Sequence, residues 1–156
     1  MADGSAPAER QASPHNIEAE QALLGALLLN NEVHDRVSGI LEPEHFYDPV
    51  HGRIFKLAAG RIAKGVHVSP VTLKPFLAED EGLQELGGVA YLTRLAEATV
   101  SIVAVRDYAI TIRDLAMRRQ LIRIGEEVQA AALTVDPDHE PAQQITDAEQ
   151  KLYTLA

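Results

Sequence analysis

Asn16-Ile17-Glu18-Ala19-Glu20-Gln21-Ala22-Leu23-Leu24-Gly25-Ala26-Leu27 is a helix that carries its own start signal. Asn16 can serve as N-cap, because its side-chain oxygen can accept a hydrogen bond from a free first-turn amide. Glu18 and Glu20 place negative charge near the positive end of the helix dipole. Behind them an almost unbroken apolar segment runs to Leu29. Such a segment suits a helix buried on most sides, not one with a single wet face.

The rest of the chain extends this helical pattern. Asn31 can cap a second helix, with Val33, Val37, Ile40 and Leu41 at helical spacing, ending before Glu42-Pro43. Asp48-Pro49 is a third start, an acidic N-cap followed by proline at the first helical position. Its apolar face is Val50, Ile54, Leu57 and Ala58, with Phe55 beside it and Gly65 as the stop. Ser69-Pro70 repeats the signature and opens a short helix through Leu73 and Leu77. The acidic, glycine-containing run from Glu79 to Gly88 is expected to be a loop, and a further short helix follows from about Val89 to Ala98. Gly65-Val66-His67-Val68 alternates but is too short for more than a connector. The expected fold is all-α.

From Ser101 to Leu133 there is no proline, yet the apolar stripe changes face midway. Ile102, Val105, Ala109, Ile112 and Ala116 form one stripe, whose continuation would fall on Arg119 and Arg123. A second stripe begins instead, made of Met117, Leu121, Ile124, Val128 and Ala131. A helix whose buried face rotates passes from one packing environment to another, which places a boundary near 114–118 without requiring a break. After the turn Asp136-Pro137-Asp138-His139-Glu140-Pro141, Pro141 opens a last helix with Ile145, Ala148, Leu152 and Leu155 at heptad-like spacing. Two stripes joined by a short turn form an antiparallel hairpin. The expected organisation is a disordered lead-in at 1–13, a small helical globular part at 14–114 and a helical hairpin at 115–156. The hairpin's apolar stripes need a cover, expected to be another copy of the chain. The self-association residues are Leu121, Ile124, Val128, Ile145, Leu152 and Leu155.

At 156 residues the chain is long enough to bury a core. Aromatics at 4% and no Trp make that core one of Leu, Ile, Val and Ala. The absence of Cys excludes disulfides and thiol catalysis and fits a reducing cytoplasm. No apolar run approaches the roughly 18 residues of a membrane span. A net charge of −9 opposes strong binding to DNA by the chain alone and favours protein partners.

Catalytic and cofactor motifs do not survive inspection. Gly60-Arg61-Ile62-Ala63-Lys64-Gly65 has the glycine spacing of a P-loop, but Val66-His67 stands where Lys-Ser/Thr is needed. Gly82 and Gly87 make the same empty match. His45 and His51 flank Asp48 without forming a ligand trio, and His51 is better read as a helix residue beside the core. No catalytic, cofactor or metal site is therefore expected within these residues. Arg113, Arg118, Arg119 and Arg123 cluster where the stripe turns. They are either a contact patch or a solvated face with Arg123 paired to Glu127. Tyr91 is either buried with a partner for its hydroxyl or half-exposed as an interface anchor.

Several of these strings, in order, carry a family resemblance. Pro14-His15-Asn16-Ile17-Glu18-Ala19-Glu20-Gln21 closely resembles the opening of the N-terminal domain of DnaB-type replicative helicases. Phe46-Tyr47 and His51-Gly52-Arg53-Ile54-Phe55 follow, the latter similar to the family's His-x-x-Ile-Phe. Val71-Thr72-Leu73, Gly87-Gly88-x-x-Tyr91-Leu92, Tyr108-Ala109, Glu126-Glu127 and Ala148-Glu149 continue the likeness over about residues 14–156. Ser69 stands where the family has Asp, and Val100-Ser101-Ile102-Val103-Ala104 replaces its Pro-Ser-Ala-Ala-Asn segment.

The resemblance implies the collar of a hexameric helicase, serving ring assembly as a trimer of dimers and docking primase and a loader. The family's ATP- and magnesium-using motor is absent from this chain, which is expected to be a piece of a longer helicase. DNA would be met weakly, or through the full ring. The resemblance also implies a site for the primase C-terminal region. Apolar Ile122 and Ile145 with Arg118 and Arg119 beside them locate it on the hairpin, with Tyr91 as a secondary candidate. A different class of function, a free-standing helical adaptor, is the alternative; a linker and P-loop after Ala156 would decide between them.

Overall fold

The computed structural model describes residues 13–99 and 101–156. Among these there are eight α-helices and no strand: α1 Ile17–Leu29, α2 Val33–Val37, α3 Pro49–Ala63, α4 Pro70–Leu77, α5 Glu81–Leu86, α6 Val89–Glu97, α7 Val105–Leu133 and α8 Pro141–Leu155. A single 3₁₀ turn, Pro43–His45, precedes α3. The expected lead-in at 1–13 lies, except for Ser13, outside the described residues. The chain divides into two compact units, one spanning His15–Ala116 and the other containing Met117–Ala156 and Pro14.

The first unit is built around α1. Asn16 Oδ1 accepts from Ala19 N at 2.9 Å, and Leu23 through Leu28 are all buried. α1 crosses α6 at Gly25, where a Cβ would collide with the carbonyl of Leu95 and the hydroxyl of Thr99. Leu23, Leu24, Leu27, Ile54, Leu73, Leu83, Leu92 and Ile112 are all completely buried. Removing one such side chain from water contributes about 1.5–3 kcal/mol, so this cluster dominates the stability of the unit.

Two further helix starts, and one stop, follow their sequence signals. Asp48 Oδ1 accepts from Val50 N at 2.9 Å, with Pro49 at the first helical position. Ser69 and Thr72 exchange bonds between side chain and backbone as a capping box. Gly65 ends α3 in the left-handed region at φ +78. On the last long helix, Val105, Ala109, Ile112 and Ala116 are buried and the burial then ceases, while the helix itself runs unbroken to Leu133.

Three local expectations are corrected. The run 79–88 is not a loop: it contains α5, capped by Asp80 Oδ1 accepting from Leu83 N at 3.0 Å. Burial of Leu83 and a left-handed Gly87 at φ +117 complete that helix. Asn31 does not cap α2. Its side-chain amide takes Val68 N at 2.8 Å and gives to Val68 O at 2.9 Å, pinning the connector after α3. Glu18 and Glu20 do stand in the first turn of α1, and Glu20 is buried there. Arg123 does not pair with Glu127: it donates to Gln120 Oε1, and Glu127 instead meets Lys151 at 3.2 Å.

Candidate functional site

α7 and α8 form the second unit's hairpin. Lys151 meets Glu127, and Gln144 Nε2 donates to Ala131 O at 3.1 Å, so the helices run antiparallel. At the turn Gln144 also reaches His139 O, and His139 Nε2 lies 2.9 Å from Asp147 Oδ2. Hydrogen bonds from Gln143 and from His139 hold the Asp147 carboxyl below its usual range. These polar ties fix the hairpin's register but bury little.

No residue of α8 is buried. Of the six self-association residues, Leu121 is 48% exposed, Ile145 63% and Leu152 46%; Val128 is also exposed, and Ile124 and Leu155 are half-buried. The partner-binding residues divide. Ile122 is 45% exposed and Arg118 is exposed as well, so both are available at the surface beside Leu121. Arg119 is half-buried, with Nη1 donating to Pro14 O at 2.7 Å, so it is engaged within its own unit.

Tyr91 takes the buried of its two readings. It is 7% exposed and sits in a polar network inside the first unit. Its hydroxyl lies 2.7 Å from His51 Nε2 and accepts from Gln21 Nε2 at 3.1 Å. The other nitrogen of His51, Nδ1, is 2.8 Å from Glu20 Oε1. The same carboxylate accepts from Tyr47 N at 2.7 Å and from Asp48 N at 3.3 Å. Burial raises the Tyr91 phenol above its ordinary value, with the Gln21 hydrogen bond opposing. A neutral phenol can donate to one neighbour while accepting from another, which this position requires.

The network explains why separate sequence strings belong together. Glu20 and Gln21 come from the opening string, His51 from His-x-x-Ile-Phe, and Tyr91 from the double-glycine string. Gly87 and Gly88, at φ +117 and +67, turn the chain so that α6 can deliver Tyr91. Sequence reasoning placed His51 beside the core and missed its role as the link between α1 and α6. The available signal was a Glu, a His and a Tyr, each at an otherwise apolar helix position, which in a core must satisfy one another.

The outer side of Tyr91 lines a groove of about 600 Å³ with Gln21, Arg94 and Tyr108, all within the first unit. Arg94 lies over the Tyr91 ring at 5.7 Å and donates to Leu86 O. Tyr91 thus forms part of the floor of this groove under Arg94, with its hydroxyl committed inward.

The would-be P-loop glycines give no phosphate cradle, because residues 60–63 are part of α3. No group of His, Asp or Glu that could hold a metal occurs among the described residues, and no helix is long and apolar enough to cross a membrane.

An all-helical globular unit held by a buried Glu–His–Tyr link, and a unit formed by an exposed two-helix hairpin, define an all-α fold without a catalytic constellation among the described residues. The family model described as DnaB-like helicase N terminal domain matches residues 12–114, and the chain belongs to that family. It is 43% identical over 143 residues to the replicative DNA helicase DnaB of Rickettsia conorii, covering 92% of this chain and 29% of that protein. It is 31% identical to the DnaB of Pasteurella multocida, again over 92% of this chain and 30% of the relative. The chain thus spans less than a third of these relatives. The crystal structure of the N-terminal domain of DnaB helicase from Mycobacterium tuberculosis superposes with TM-score 0.82 over 92% of this chain and 99% of that one, and at 24% identity it shows the shared fold. A DnaB-like replicative helicase, solved in a study of its structure and its interactions with primase, superposes with TM-score 0.72 at 26% identity, covering 90% of this chain and 32% of that one.

Proposed function

We propose that this chain is the assembly and docking module of a hexameric replicative helicase. Its hairpin pairs with that of a second copy, and three such dimers build the collar of a ring. The collar receives the C-terminal region of primase and a helicase loader. Nucleotide and magnesium are handled by the motor region of the relatives, and DNA is engaged through the full ring. No chemistry is carried by these residues.

One observation supports this reading above the others: no residue of α8 is fully buried, and the helix presents Ile145 and Leu152 to solvent. Apolar stripes on two ion-paired helices stay soluble in isolation only at a cost, and a second copy removes them from water. Ile122 and Ile145, with Arg118 beside Ile122, then have the composition of a protein-binding hot spot, an apolar anchor with an Arg rim. Tyr91 and Arg94, on the first unit, offer a second contact area. Arg119 acts by anchoring Pro14 as well as by its charge.

Titrating labelled primase C-terminal domain against the chain tests the docking half. Ile122→Ala and Ile145→Ala should speed dissociation, each at a cost of ~2 kcal/mol. Arg118→Glu should slow association and make it more salt-sensitive. If wild type binds and all three variants bind equally well, the contact lies off the hairpin.

A further inference from the structure

The chain's positive charge is unevenly placed. Of its 14 Lys and Arg, four stand within twelve residues, Arg53, Lys56 and Arg61 on α3 and Lys64 at its C-cap. All four line a groove of about 520 Å³ between α3 and α4, closed on its far side by Phe76 and Asp80. Arg53 is spoken for, because its guanidinium forks onto both oxygens of Asp80 at 2.8 and 2.9 Å. Lys56, Arg61 and Lys64 have no acidic partner among the described residues. The groove therefore carries three uncompensated positive charges in a chain of net charge −9.

Two details make this more than a solvated face. Phe76 is 52% exposed in the middle of the charges, with the Arg61 guanidinium 4.3 Å over its ring. Arg61 Nε is shielded from solvent and has no hydrogen-bond acceptor among the described residues. A shielded donor without an acceptor is costly, so the Arg61 guanidinium is incompletely satisfied as it stands, and a carboxylate beside it would be held by charge. Gly60 lines the same groove, where an added Cβ would meet nothing, so there is open room between the cations.

We infer that this groove docks an acidic linear segment of a partner protein, its carboxylates on Lys56, Arg61 and Lys64 and an apolar side chain against Phe76. A single nucleic-acid strand fits less well. The whole chain repels phosphate, Asp80 stands at the rim, and Arg61 already covers one face of the only aromatic ring a base could use. The groove lies entirely in the first unit and is independent of the hairpin.

The probe is a fluorescein-labelled peptide with a central Leu-Phe pair between flanks of Asp and Glu, followed by fluorescence anisotropy. Saturable binding that weakens with salt is expected. Lys56→Glu with Lys64→Glu should weaken it about tenfold or more, since each reversal turns an attraction into a repulsion. Phe76→Ser should weaken it about tenfold by removing the anchor. Gly60→Leu fills the groove without altering charge and should weaken it comparably, with an unchanged circular dichroism spectrum showing that the fold is intact. Absence of saturable binding overturns the proposal, as does binding that all these variants leave unchanged. Equal binding of a peptide with Ser in place of Leu-Phe, or tighter binding of labelled oligo-dT, overturns it as well. So does a change in the native mass on charge reversal without peptide binding, which would make the groove a contact between copies.

Discussion

Glu20 accepts from three partners at once, closely from His51 and Tyr47 N and more loosely from Asp48 N, and through them α1 holds the entry to α3. Tyr91 closes the chain of bonds from α6. Tyr91→Phe removes one oxygen, keeps the ring, and leaves His51 Nε2 and Gln21 Nε2 without that partner. Leaving buried polar groups unpaired costs about 1–3 kcal/mol, which urea denaturation should register as a lower midpoint with an unchanged slope. Asp80 yields a pH-dependent prediction. The Arg53 side chain holds its carboxyl down at about 2, with the Leu83 amide helping, against an ordinary value of 3.8. A carboxyl depressed on folding adds stability that is complete above its unfolded value and is lost as pH falls through the folded one. Wild type should therefore melt higher than Asp80→Asn at neutral pH, and the gap should close between about pH 4 and 2. A gap that is constant across that range would mean the ion pair contributes nothing and only the cap does.

At the scale of elements, N-caps and stripes were legible in the sequence because their physics is local. Asn16, Asp48 and Ser69 each accept from an amide two or three residues on, and no distant residue is needed to see it. α5 was hidden for the opposite reason. Its six residues hold two glutamates and a glycine, and what stabilises them is Leu83 reaching the core and Asp80 serving Arg53 and the helix start together. Asn31 was misassigned because its partner, Val68, lies 37 residues away. The buried network was invisible as a network: each string was readable, but convergence of Glu20, His51 and Tyr91 is a tertiary fact. Gly87 offers a test at this scale. Its φ of +117 strains any other residue, so Gly87→Ala should cost on the order of 1–2 kcal/mol in a thermal melt while Gly39→Ala, in open space, should cost nothing comparable.

The whole molecule consists of one unit that satisfies itself and one that does not. In His15–Ala116 apolar side chains from all seven of its helical segments reach a common core. In Met117–Ala156 no residue is fully buried, and Leu121, Ile122, Ile145 and Leu152 remain wet. Covering several such side chains contributes several kcal/mol at ~25 cal/mol per Å² before association entropy is subtracted, enough to favour a dimer at moderate concentration. The most direct measurement is the native mass of the chain in solution by light scattering, across a concentration series, for wild type and for Ile124→Asp with Leu152→Asp. Wild type should rise from monomer to dimer and above, and the variant should stay monomeric with its helical signal and first-unit stability intact. A wild-type chain that remains monomeric at high concentration would contradict the account, because the hairpin would then need no second copy.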